Sequence, residues 1–139
     1  MVKALAPRIL VVDDDLSAAL HCTYALLDAG FEVDIATTRS DAVRLLLERR
    51  YAAAVVDLVM PDLGGREVCR AVHALAPAAA LVVMGEDPES VARALEPDDY
   101  LRRPFTDLGL LDAVARALGR ARGRAAPAPA PSSAPAEPC

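Results

Sequence analysis

Ile9-Leu10-Val11-Val12-Asp13-Asp14-Asp15 is a short apolar run that ends in three carboxylates. Two other pieces repeat the form. Ala53-Ala54-Val55-Val56 meets Asp57, followed by Leu58-Val59-Met60-Pro61, and Asp99-Tyr100-Leu101 meets Arg102-Arg103-Pro104-Phe105. In a parallel sheet the strands deliver their C-terminal residues to one edge, and ligands bind there where the strand order reverses. The three pieces therefore predict one carboxylate cluster facing one guanidinium. Clustered acids hold Mg²⁺, and an acid beside a metal and a cation is a candidate phosphoryl acceptor.

Outward from these runs, short apolar stretches alternate with helical patterns, the signature of βα units. Strands are expected at 8–13, 31–36, 52–57, 81–84 and 100–102. The first helix is expected over about 15–29, with Leu16, Ala19, Leu20, Thr23, Leu26 and Leu27 inward and Gly30 as its C-terminal stop. Thr38 or Ser40 caps a second helix reaching about Arg49, with Ala42, Leu45 and Leu46 inward. Pro61 and Gly64-Gly65 mark a loop. A third helix over about 65–75 turns Val68, Val72 and Leu75 inward. A short fourth helix is expected at 89–95, and Thr106 caps a last one over about 107–119. Five such units predict an α/β, flavodoxin-like, doubly wound parallel sheet of order 2-1-3-4-5. Right-handed crossovers place the ends of strands one, three and five at one edge.

The chain has 139 residues, enough for one domain with a real core. Apolar residues make up 54%, too many for a disordered chain, and aromatics only 4%, so Ala, Val and Leu must build the core. Residues 1–119 carry 12 basic and 19 acidic side chains. An acidic body argues against nucleic-acid binding. Lys3 is the one lysine; the other 14 basic residues are Arg. Cys22, Cys69 and Cys139 form no CxxC or Cys/His cluster, which argues against a zinc site or a disulfide framework. Residues 1–7 lack the apolar core of a signal peptide and no run is long enough to span a bilayer, so the expected compartment is the cytoplasm, with no membrane partner. From about Ala121 the periodicity stops, and 120–139 reads as an Ala/Pro-rich disordered tail after a domain at 8–119 and an extension at 1–7.

Ile-Leu-Val-Val-Asp-Asp-Asp at 9–15, Val-Val-Asp-Leu-Val-Met-Pro at 55–61, Gly65, and Asp-Tyr-Leu-x-x-Pro-Phe at 99–105 together resemble the receiver domain of bacterial two-component response regulators. The resemblance spans about residues 8–119 and rests on three motifs in order. It implies that Asp57 is the phosphoacceptor, taking a phosphoryl group from the phosphohistidine of a histidine kinase or phosphotransfer protein. It also implies that Asp13, Asp14, Asp57 and the backbone carbonyl of Val59 hold Mg²⁺. The cation relieves repulsion among the acids and neutralises phosphoryl charge during transfer. Asp15 is expected to cap the first helix rather than bind metal. The peptide before Pro104 is expected to be cis, aiming Arg103 inward.

Three positions depart from the family pattern. Arg103 stands where the family has Lys; it keeps the charge but is longer, planar and forked, so either drift in an Arg-biased chain or altered switching accounts for it. Gly85 stands where a Ser or Thr hydroxyl would bond the phosphoryl oxygen, and no Ser or Thr occurs between Pro77 and Asp87. Glu86 follows where a small residue is usual. Its carboxylate either repels an incoming donor or points to solvent. The stretch from Gly85 to Arg103 is shorter than usual by about four residues, close to the ~3.6 of one helical turn. Glu96-Pro97 replaces the usual Gly-Ala, and Tyr100 occupies the aromatic switch position. The face made by the fourth helix, fifth strand and last helix is the family's output surface, and here it is rebuilt.

Three functions compete. The first is a single-domain signalling receiver, atypical at its switch positions and not an enzyme. It would assist its own phosphotransfer and act on an unknown downstream protein as a monomer or weak homodimer. The second is a pseudo-receiver, an interaction module with weak or no phosphorylation-dependent switching; the intact Asp13, Asp14 and Asp57 oppose it. The third, a phosphatase using Asp57 as nucleophile, wants an acid/base carboxylate just after it, and position 59 is Val.

Overall fold

The computed structural model describes residues 6–59, 64–86 and 93–125. Its elements follow the alternation in the sequence: β1 (Arg8–Val12), α1 (Leu16–Asp28), β2 (Glu32–Ala36), α2 (Arg39–Glu48), β3 (Ala53–Asp57), α3 (Gly65–Leu75), β4 (Ala80–Gly85), a 3₁₀ turn (Arg93–Leu95), β5 (Asp99–Arg102) and α4 (Asp107–Ala125). The strands form one parallel sheet in the order β2-β1-β3-β4-β5, the expected doubly wound arrangement.

The strands divide the core by alternation. Leu10, Val12, Ala54, Val56, Leu81 and Val83 face the side covered by α2 and α3. Ile9, Val11, Ala53, Val55, Val82 and Met84 face α1 and α4. Both faces are covered, which is why β1, β3 and β4 are apolar at nearly every position. Alanine does much of the packing on the α4 side, where Ala113 and Ala117 are fully buried. Small side chains let helix and sheet approach closely without aromatic filler.

Local chemistry sets the helix ends. Asp15 caps α1, its Oδ1 accepting the amides of Ser17 at 3.0 Å and Ala18 at 3.3 Å. Gly30, at φ +98°, closes α1: its N–H donates to Leu27 and the N–H of Phe31 to Leu26, the bond pair of a glycine-terminated helix. Thr38 caps α2 through the amide of Asp41, and Thr106 caps α4 through the amide of Gly109.

Four expectations need correction. Leu16, Leu27 and Leu75 are exposed rather than inward, at 55%, 47% and 40%. Leu16 and Leu75 are terminal residues of their helices, and Leu27 sits beside the buried Leu26. The smaller Cys22 and Ala25 are buried on α1 with Ala19, Thr23 and Leu26. The last helix runs to Ala125, six residues beyond the expected end at 119.

Arg116, Arg120 and Arg124, spaced four apart on α4, explain that extra length. Arg116 Nε donates to Asp99 Oδ2 at 2.9 Å and Arg120 Nη1 to Asp99 Oδ1 at 3.2 Å. Arg124 donates to Asp98 Oδ1 and, at 3.2 Å, to the carbonyl of Ala79. Asp98 and Asp99 are buried, and Asp98 Oδ2 also accepts the amide of Leu81 at 2.8 Å. A buried carboxylate needs such partners, and the arginine ladder ties α4 to the start of β5. The short helix expected at 89–95 falls partly outside the described residues; its described end, Arg93–Leu95, is 3₁₀.

Candidate functional site

The register brings the expected residues to one edge. Val12 pairs with Val56, Asp57 with Met84, and Gly85 with Arg102. Asp13 lies one residue past β1, its amide bonded to Ala36 O at 3.1 Å, and Asp57 is the last residue of β3. Arg103 lies one residue past β5, its amide bonded to Gly85 O at 2.9 Å. The Arg103–Pro104 peptide is cis.

Asp13, Asp14 and Asp57 each offer an oxygen, and these three atoms lie within 4.8 Å of one another. Asp13 and Asp57 are buried, at 1% and 3% exposure, while Asp14 is exposed. Asp13 Oδ1 accepts the amide of Asp15 at 3.0 Å, and Asp57 Oδ1 accepts the amide of Val59 at 2.9 Å. Each buried acid thus keeps one oxygen on the main chain and turns the other to Arg103. Arg103 Nη1 donates to Asp57 Oδ2 and Nη2 to Asp13 Oδ2, both at 3.1 Å. One guanidinium bridges the two carboxylates.

Burial pushes the Asp13 carboxyl up to about 6, and Asp57 adds to the rise; the Asp15 amide and Arg103 pull the other way. Burial disfavours the charge on Arg103, but Asp57 and Asp13 outweigh it and raise its pKa. Three formal negative charges face one positive charge. Hard carboxylate oxygens from two buried strand ends and one exposed neighbour suit a hard divalent cation such as Mg²⁺.

The neighbouring turn explains the two glycines. Gly64 has φ +72°, the left-handed region that favours glycine. At Gly65 a Cβ would stand 2.6 Å from the carbonyl oxygen of Asp57 and 2.9 Å from the Cα of Leu58, so α3 could not start this close to the end of β3.

Gly85 ends β4, buried, beside Arg102. Glu86 is exposed. Tyr100 is partly buried against the α2–α3 side of the core. Glu96 adopts φ +51°, a left-handed conformation at the position where the resemblance puts glycine. Val59 is 60% exposed, so its side chain takes no part in the pocket. Cys22 and Cys69 are buried, and burial pushes their thiols up to about 11 and about 12, away from nucleophilic chemistry. Sequence reasoning missed the double pairing of Arg103 and the Asp98–Asp99 anchor. A signal for the anchor was present in the i, i+4, i+8 spacing of three arginines; nothing local signals the bridge.

Residues 9–115 match the response regulator receiver domain family. The chain is 39% identical over 116 residues to the transcriptional regulatory protein PrrA of Mycobacterium tuberculosis, covering 80% of this chain and 48% of that protein. It is 35% identical over 120 residues to the DNA-binding response regulator MtrA of Mycolicibacterium smegmatis, covering 84% and 53%. The chain thus spans about half the length of these curated relatives. Among solved structures, a CheY-like receiver domain protein from Methanospirillum hungatei superposes with a TM-score of 0.78 at 25% identity, covering 86% of this chain and 99% of that one. The chemotaxis protein CheY4 of Vibrio cholerae gives 0.75 at 25% identity, covering 81% and 99%. Fold, site and relatives agree: this chain belongs to the response regulator receiver domain family. Among the described residues, no helix is long and apolar enough to cross a membrane.

Proposed function

We propose that Asp57 accepts a phosphoryl group from the phosphohistidine of a histidine kinase or phosphotransfer protein, and that the phosphorylated domain signals by changing its protein contacts. The observation that carries this reading is the cluster of buried Asp13 and Asp57 with exposed Asp14, its two buried acids bridged by Arg103. In the transfer, an Asp57 oxygen attacks phosphorus, the new O–P bond forms as the N–P bond breaks, and the imidazole leaves with the bonding electrons. Asp13, Asp14, Asp57 and the Val59 carbonyl would hold Mg²⁺, which supplies charge neutralisation for the phosphoryl oxygens. Arg103, which already donates to Asp57 Oδ2, would orient and neutralise the same oxygens. The Val59 amide holds one Asp57 oxygen and so fixes the carboxylate plane. The domain works in the cytoplasm on this reading, where histidine kinases present their phosphohistidine. Beryllofluoride, a phosphoryl mimic, tests the site: with Mg²⁺ it should shift amide resonances around Asp57 and Arg103 in the wild type and not in Asp57→Asn. An unchanged spectrum at millimolar reagent counts against the proposal.

A second reading, the pseudo-receiver, draws on Gly85, which has no hydroxyl to offer at the end of β4. It keeps the fold and the partner surface but predicts no beryllofluoride response.

A further inference from the structure

The lost hydroxyl at Gly85 and the replacement of lysine by Arg103 are linked by geometry. Gly85 and Arg103 are joined through the main chain, the amide of Arg103 donating to the Gly85 carbonyl at 2.9 Å. The Arg103 side chain therefore rises from the strand next to the one that lacks the hydroxyl. Its two terminal nitrogens are already split between two acceptors, Asp57 Oδ2 and Asp13 Oδ2, each at 3.1 Å. A lysine ammonium is a point charge; a planar guanidinium can hold two oxygens in a fixed geometry. The first hydroxyl after Arg103, that of Thr106, caps α4 through the amide of Gly109.

We propose that Arg103 does the work of two side chains: Nη1 takes the role of the missing lysine on the Asp57 side, and Nη2 turns from Asp13 to a second phosphoryl oxygen, supplying the hydrogen bond that Gly85 cannot. This inference rests on Asp57 being the phosphoacceptor. A phosphorylated Asp57 offers the guanidinium several charged oxygens in place of one carboxylate oxygen, so the fork can stay with Asp57 by both arms. Asp13 keeps its bond to the Asp15 amide and remains directed at the cation site. The two departures from the family pattern then form a compensating pair.

A double-substitution cycle read by beryllofluoride affinity in the presence of Mg²⁺ tests the pair. Arg103→Lys should weaken binding by about tenfold or more in the natural Gly85 background, the loss of one hydrogen bond to a charged group. In a Gly85→Ser background, which restores a hydroxyl, the same substitution should cost less, the two losses differing by more than the about twofold within which independent sites add. Equal losses in the two backgrounds would overturn the inference while leaving Asp57 as phosphoacceptor. Failure of the wild type to bind beryllofluoride would overturn both readings together. Because Gly85 is buried and its serine variant can fail to fold, a second measurement uses the wild type alone. Nitrogen-15 spectra of the Arg103 guanidinium in the beryllofluoride complex should show both Nη groups hydrogen-bonded to the mimic. Only one such group overturns the inference.

Discussion

At Asp13 burial works against function in a measurable way. Its carboxyl is raised to about 6 from an ordinary 3.8, chiefly by burial. The folded protein therefore binds this proton more tightly than the unfolded chain. The stability it contributes is complete below about pH 4 and is lost as pH rises through about 6. For protein stripped of metal, replacing Asp13 by Asn removes this dependence. The stability of Asp13→Asn relative to wild type should rise by roughly 2–3 kcal/mol between about pH 4 and pH 7, measured by urea unfolding. A flat difference would show that Arg103 already compensates the charge. Added Mg²⁺ should recover the wild type at neutral pH more than the variant, since the variant has one fewer carboxylate.

Among the elements, α4 and the β4–β5 connection carry the largest differences from expectation. The last helix was expected to stop at 119 because its final turns, rich in Ala, Gly and Arg, show no apolar repeat. Their partners, Asp98 and Asp99, lie on another element, so the pattern is electrostatic and non-local. A chain ended at 119 should unfold at lower urea than one ended at 125. It loses Arg120, Arg124 and the buried Ala121, and each buried acceptor left unsatisfied costs roughly 1–3 kcal/mol. Equal midpoints would mean the ladder contributes nothing. In the connection, Glu96 sits at φ +51°. A left-handed residue with a Cβ costs roughly 1–2 kcal/mol, and glycine in the unfolded chain recovers part of that difference. Glu96→Gly should accordingly stabilise the domain by about 0.5–1 kcal/mol, visible as a higher midpoint; a lower midpoint would mean that the glutamate side chain makes a contact worth more than the strain.

The whole molecule follows from alternation and handedness, and this much could be read in the chain. Apolar runs ending in Asp13 and Asp57 marked buried parallel strands, and the order β2-β1-β3-β4-β5 brought those ends together. The acids of the site were legible because each sits at the end of such a run. The bridge from Arg103 was not, because the split of one guanidinium between strands 46 and 90 residues away depends on register and depth. The inward choice of Cys22 and Ala25 over Leu16 and Leu27 was likewise decided by how closely α1 packs on the sheet. The central claim is that this edge carries out phosphoryl chemistry on one residue. Its most direct measurement is intact-mass spectrometry after incubation with phosphorylated histidine kinase or a small acyl phosphate. The account predicts one added phosphoryl group that requires Mg²⁺ and is absent in Asp57→Asn. Incorporation that persists in Asp57→Asn, or none in the wild type with either donor, would contradict it.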